Sequence, residues 1–280
     1  MNVLNANGKM LDLSIPQVMG IVNVTPDSFH RGSRIESEDE GLQLIEKMIS
    51  DGATMIDLGG QSSRPRAERI SADEELERML PMIELARKEF PDTILSVDTF
   101  YAKVAEVLID EGIDMINDIS AGSIDPKLLE VVGQNSVCYV LMHMLGTPLV
   151  MQENPTYDNV VLDILNFLKN KLQECAQNGI HDVIIDPGFG FGKTVEQNYE
   201  ILRKFGVFKV LDKPLMAGLS RKSMIYKVLE SDSAQALNGT TALHMVALQQ
   251  GAKILRVHDV KEAKESINLH LKVLYDSNAI

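Results

Sequence analysis

The chain has 280 residues, 45% hydrophobic and 24% charged, which is enough apolar material for a large core and the wrong composition for general disorder. Its 40 acidic side chains against 27 basic ones give a formal charge of −13, which argues against the basic face of a nucleic-acid binder. The two cysteines, Cys138 and Cys175, suggest neither a disulfide framework nor a zinc site and read as buried thiols in a reducing compartment.

From the N-terminus, Met1 to Leu13 is polar and carries no signal-peptide pattern. No run of about 18 apolar residues follows, so no membrane span and a cytoplasmic location are expected. Apolar runs then recur as candidate strands: Val18–Val24, Met55–Leu58, Thr93–Val97, Met115–Asn117, Val137–Met142, Val183–Asp186, Pro214–Leu219 and Ile254–Val257. Amphipathic stretches lie between them. Asp73–Phe90 carries Leu76, Met79, Leu80, Ile83 and Phe90 at helical spacing, and Tyr157–Gln177 and Val260–Leu274 show the same period. Arg221–Leu229 and Ala234–Gln250 follow one another with no strand between, which predicts an extra helix after strand 7.

Strands that are β-branched and apolar almost throughout suit a parallel sheet covered on both faces. With no linker or low-complexity block, the chain reads as one α/β domain over residues 1–280, core about 17–276. A (β/α)₈ TIM barrel is the natural architecture, with a doubly wound open sheet as the alternative that periodicity leaves open.

Polar and glycine-rich clusters stand right after the strands. They run from Asn23–Phe29 and Asp57–Pro65 through Ser96–Thr99, Asn117–Gly122 and Met142-His143 to Asp186–Gly192, Gly218–Lys222 and Arg256–His258. The C-terminal face of a barrel is where such clusters would share a site. Two other motifs fail. Gly188–Thr194 lacks the P-loop's first glycine, since Pro187 stands there, and Lys193 breaks the dinucleotide pattern, so a flexible glycine-rich loop is the better reading. The six histidines make no helical metal-binding pair.

The segments Asn23–Phe29, Ser62-Ser-Arg-Pro65, Asp186–Gly192, Gly218–Ser223, Asn238–Thr241 and Arg256–His258 closely resemble the signatures of the dihydropteroate synthase family, in order and from about Gln17 to the last helix. That resemblance implies a transferase of folate biosynthesis that joins 7,8-dihydropterin-6-ylmethyl diphosphate to 4-aminobenzoate. It also implies Mg²⁺, a homodimer and inhibition by sulfonamides. It places Asp98, Asn117, Met142, Asp186, Phe191, Gly218 and Lys222 around the pterin, and Asn23, Ser63, Arg64, Arg256 and His258 at the diphosphate. Phe29, Ser63, Arg64, Pro65, Ser220 and Lys222 would frame the aminobenzoate, with Ser220 at a helix N-terminus. Asp98, Lys222 and Arg256 would carry the catalysis, and Asn23 would be linked to the metal.

The residue types agree with these roles. Carboxylates and amides pair with a pterin's 2-amino-4-oxo edge, and arginine forks and lysine charges suit phosphate oxygens. Gln61 and Arg66 depart from the glutamate and glycine common in the family, and His30–Arg34 departs too, so the differences fall on the amine side. Were φ positive at position 66, a side chain there would cost roughly 1–2 kcal/mol. The competing readings are a corrinoid-dependent methyltransferase with a similar pterin cradle, a catalytically impaired pterin-binding homologue, and a phosphate-binding barrel of another pathway.

Overall fold

The computed structural model describes residues 3–24, 38–61, 69–146, 151 and 155–274. A short antiparallel hairpin comes first, β1 (Val3–Ala6) and β2 (Lys9–Asp12), turned by Asn7 and Gly8 at φ 52° and 84°. Asn-Gly with both φ angles positive is the favoured two-residue hairpin turn, yet the polar N-terminus gave no strand by periodicity.

Eight parallel strands follow: β3 (Gln17–Asn23), β4 (Met55–Gly59), β5 (Ile94–Asp98), β6 (Met115–Asp118), β7 (Cys138–Met142), β8 (Val183–Asp186), β9 (Met216–Ala217) and β10 (Ile254–Val257). Their order is β8-β7-β6-β5-β4-β3-β10-β9, and a parallel bridge between Ile185 and Leu215 joins the two end strands. The sheet closes on itself as a (β/α)₈ barrel, which displaces the open-sheet alternative. Each strand falls on an expected apolar run. β9 is shorter than Pro214–Leu219 because its side toward β8 is held by one bridge and Gly218 already leads into the next loop.

The helices are α1 (Glu38–Ser50), α2 (Ala72–Glu89), α3 (Ala102–Asp110), α4 (Lys127–Gln134), α5 (Val160–Gln177), α6 (Val195–Arg203), α7 (Ser223–Tyr226), α8 (Leu237–Gln249) and α9 (Val260–Leu274). Local chemistry sets their starts. Ser71 Oγ accepts the Glu74 N–H at 3.2 Å ahead of an acidic first turn in α2, and Thr194 with Gln197 forms a reciprocal capping box on α6. Both α7 and α8 lie between β9 and β10, so the extra helix is present. Only four residues of the expected Arg221–Leu229 stretch are helical, and the chain turns off at Glu230, φ 51°.

Side chains alternate across each strand. The outward set, including Val18, Ile56, Leu95, Ile116, Tyr139, Ile185 and Leu255, packs against the helices. The inward set near the strand starts, Met19, Met55, Ile94, Met115, Cys138, Ile184, Met216 and Ile254, forms a separate cluster with Leu4, Ala6, Leu11 and Leu13 of the hairpin. Hydrogen bonds fasten the hairpin across that mouth: Asn5 N–H to Asp182 Oδ1 (2.9 Å), Asn7 N–H to the Ser136 carbonyl (2.8 Å) and Lys9 Nζ to the Thr93 carbonyl (2.9 Å). Further up the lumen the inward positions turn polar.

Candidate active site

Alternation carries the inward positions from Met55 to Asp57, from Ile94 to Ser96 and Asp98, from Met115 to Asn117, from Ile184 to Asp186 and from Ile254 to Arg256. Asp57 is fully buried and accepts three hydrogen bonds, from Ser96 Oγ at 2.6 Å, Asn117 Nδ2 at 2.9 Å and Arg256 Nε at 2.7 Å. Arg256 Nη2 donates to Asp98 Oδ2 at 2.9 Å. The guanidinium is therefore held between two carboxylates inside the barrel, 16% exposed, a different situation from a surface ion pair. Neither Asp57 nor Ser96 was singled out from sequence. The available signal was an aspartate in the middle of an apolar run buried on both faces.

Burial dominates the ionisation of the site. It pushes Asp98 up to about 7, with the Asp57 and Asp118 charges adding and Arg256 opposing. It raises the Asp186 carboxyl against the pull of Lys222, and lowers Lys222 to about 8 against the pull of Asp186. Burial also opposes the Arg256 charge, but Asp57 and Asp98 outweigh it and hold Arg256 above its ordinary value. The mouth thus combines a fixed cation with a carboxyl and an amine that both titrate near neutrality.

Met142 and Phe191 meet in one apolar cluster with Phe100, Ile119 and Met151, which were not foreseen. Lys222 Nζ lies 4.7 Å from the Phe191 ring centroid and donates to the Phe189 carbonyl. A Cβ at Gly218 would sit 3.4 Å from Asp186 Oδ2 and 3.8 Å from Lys222 Nζ, so acid and amine both border this glycine. The glycine-rich segment is not the unrestrained loop expected from sequence. Gly188 N–H donates to Asp186 Oδ1 at 2.7 Å, and the buried Lys193 Nζ donates to the carbonyls of Gly188 (2.8 Å) and Phe191 (2.9 Å).

Ser220 Oγ lies 3.1 Å from His258 Nδ1, joining the ends of β9 and β10. The helix beside Ser220, α7, has only four residues, so the local feature is this histidine contact and not a long helix N-terminus. Asn23 ends β3, and its Oδ1 and Asp98 both border Gly59. Among the described residues no group of three His, Cys, Asp or Glu side chains gathers to hold a metal.

Phe29, Ser63, Arg64 and Pro65 lie outside the described residues, as does Arg66. The described residues on either side of segment 62–68, Gln61 and Arg69, each have a defined contact. Gln61 Nε2 donates to the buried Glu75 at 2.7 Å, and Arg69 stacks over Phe100 at 4.9 Å. Gln61 therefore turns toward Glu75 of α2.

Residues 19–258 match the family described as pterin binding enzyme. The chain is 46% identical over 268 residues to the dihydropteroate synthase of Haemophilus influenzae, covering 95% of this chain and 97% of that one. The structure of the Yersinia pestis dihydropteroate synthase with a sulfonamide drug superposes with a TM-score of 0.93 at 42% identity, over 97% of this chain and 99% of that one. That of the Xanthomonas albilineans enzyme with 4-aminobenzoic acid gives 0.90 at 36% identity, over 98% of each.

Proposed function

Because the chain belongs to the dihydropteroate synthase family of pterin-binding enzymes, we propose that its barrel mouth holds the pterin between Asp186, Asn117 and Asp98 and directs the reaction with Arg256 and Lys222. The activity is dihydropteroate synthesis, a transferase step of folate formation. It condenses 7,8-dihydropterin-6-ylmethyl diphosphate with 4-aminobenzoate to dihydropteroate and diphosphate. With relatives matched over nearly the whole chain and named as synthases, the methyltransferase alternative falls away.

In the reading proposed, the flat ring lies beside Gly218, near Asp186 and Lys222, with Met142 and Phe191 as walls. Asp186 accepts from the 2-amino edge, and Asn117, fixed by Asp57, reads the ring beside it. The C–O bond between the pterin methylene and the diphosphate breaks, and its electron pair leaves with the oxygen. The cation that remains is delocalised into the ring, where the ionised Asp98 favours it. The arylamine nitrogen then forms the C–N bond and loses its extra proton to solvent or diphosphate. No protein nucleophile is required, and much of the acceleration comes from holding the two partners in line.

Arg256, His258, Asn23, Ser63 and Arg64 would receive the diphosphate. Phe29, Ser63, Arg64, Pro65, Ser220 and Lys222 would frame the aminobenzoate. The donor set suits Mg²⁺. A single amide oxygen from Asn23, without a cluster of protein carboxylates among the described residues, fits an ion that keeps waters and takes phosphate oxygens. Bound there, the ion would neutralise diphosphate charge.

Sulfonamides would compete with the aminobenzoate. A homodimer is favoured by α8, on which Leu243, Met245 and Val246 stay partly exposed, and by its neighbour α9, on which Leu269 and Val273 are exposed by 64% and 76%. A cytoplasmic setting fits the two free buried cysteines and the absence, among the described residues, of a helix long and apolar enough to cross a membrane.

The observation that carries the proposed site is the buried Asp57–Arg256–Asp98 arrangement beside Asp186 and Lys222. Diphosphate release and dihydropteroate formation are to be followed together with Mg²⁺ present, with Lys222→Ala as the comparison. Both products at equal rates, largely lost in the variant, support the assignment; undiminished turnover by Lys222→Ala overturns it.

A further inference from the structure

The loops after β9 and β10 share a pattern that the proposed reaction leaves unused. Ser220 and Lys222 face the site, and Arg221 between them faces away. His258 faces Ser220, and Asp259 after it faces Arg221. Arg221 Nε and Nη2 hold Asp259 Oδ2 and Oδ1 at 2.7 and 2.8 Å, a two-pronged pair only 10% and 16% exposed. The remaining contacts reach the approach to α8. Nη1 donates to the Ser233 carbonyl at 2.9 Å and the Ala234 carbonyl at 2.7 Å, and the Arg221 N–H donates to Thr240 Oγ1 at 3.0 Å.

These contacts hold Arg221 at φ 53°, a left-handed conformation that a long side chain adopts only when its surroundings impose it. Strain of this kind at the centre of a three-residue turn fixes the directions of the residues on either side. We propose that Arg221 and Asp259 form a positioning clamp that sets Lys222 and Ser220 on one loop against His258 on the other. The clamp touches no substrate and acts through those three side chains.

This inference rests on the assignment of Lys222, Ser220 and His258 to the site, which wild-type turnover and Lys222→Ala test separately. The clamp itself is tested by Arg221→Asn, whose asparagine tolerates the left-handed backbone but lacks the fork, by Asp259→Asn, and by the double variant. Each single variant is expected to lower kcat by about 100-fold, the cost of misplacing a site by an ångström. The KM for pterin diphosphate should rise as well, since Lys222 and His258 also hold that substrate, and the double variant should be no slower than the worse single, because the two residues act as one device. Should either single variant fold poorly, Thr240→Val removes only the bond to the Arg221 N–H and should slow kcat, whereas Thr240→Ser should restore it. Wild-type kcat in Arg221→Asn or in Thr240→Val, or losses that multiply in the double variant, would overturn the clamp while leaving the assigned reaction standing.

Discussion

Asp57→Asn removes one charge from the centre of the buried layer and changes little in volume. The wild-type carboxylate accepts from Ser96, Asn117 and Arg256 and is fully buried. All three bonds end on an ionised carboxylate and contribute about 1.5–3 kcal/mol each. The asparagine recovers one acceptor but points an N–H₂ group at a donor, and Arg256 is left with Asp98 alone. A stability loss of about 3–5 kcal/mol follows, the range for breaking a buried ion pair from one side. The ionisation of Asp98 shifts as well. The Asp57 charge is one of the groups raising it toward about 7, so the acid limb of kcat/KM should move to lower pH in the variant. Urea unfolding followed by circular dichroism reads the first effect and diphosphate release from pH 5 to 9 reads the second. An unfolding curve that overlays wild type, with an unmoved acid limb, would refute the role given to Asp57.

Two further outcomes concern protons. Wild-type kcat/KM should rise with pH as Asp98 ionises near about 7 and fall as Lys222 loses its proton near about 8, giving a narrow bell; a profile flat between pH 6 and 9 would remove both groups from the reaction. Glu75 is fully buried, and burial raises it from 4.5 to about 8 in the fold. Its folded form therefore holds a proton that the unfolded chain gives up. The stability it contributes is complete below 4.5 and is lost as pH rises toward 8. Glu75→Gln should consequently raise the urea midpoint more at pH 8 than at pH 5, and a gain of equal size at both values would contradict the assignment.

Much of the barrel was legible because its strands are buried on both faces and read as unbroken apolar runs with helices between. The hairpin was not, since Asn5 to Lys9 shows no long apolar run and its only signal is the Asn7-Gly8 pair. The polar strand ends announced a site, but they did not distinguish Asn117, which faces the lumen, from Asp118. The latter turns outward to accept from Tyr139, Ser120 and Gly122 and fixes the loop. That distinction depends on register, which the closed sheet sets and local sequence does not. Asp57 escaped notice for the related reason that its partners come from β5, β6 and β10, 39, 60 and 199 residues away.

Among the described residues, the hairpin closes the barrel at the strand starts and leaves the mouth at the strand ends as the way in. Leu4, Ala6, Leu11 and Leu13 fill the base together with the inward methionines, so nothing passes through the axis. Traffic through one mouth would have an order imposed by depth. In the proposed arrangement the ring lies deeper, against Asp186 and Asn117, and the amine above it, so the ring would enter first. Diphosphate and dihydropteroate would leave by the mouth through which the substrates came. A stopper of four apolar side chains, remote from the chemistry, would thereby set the order of traffic.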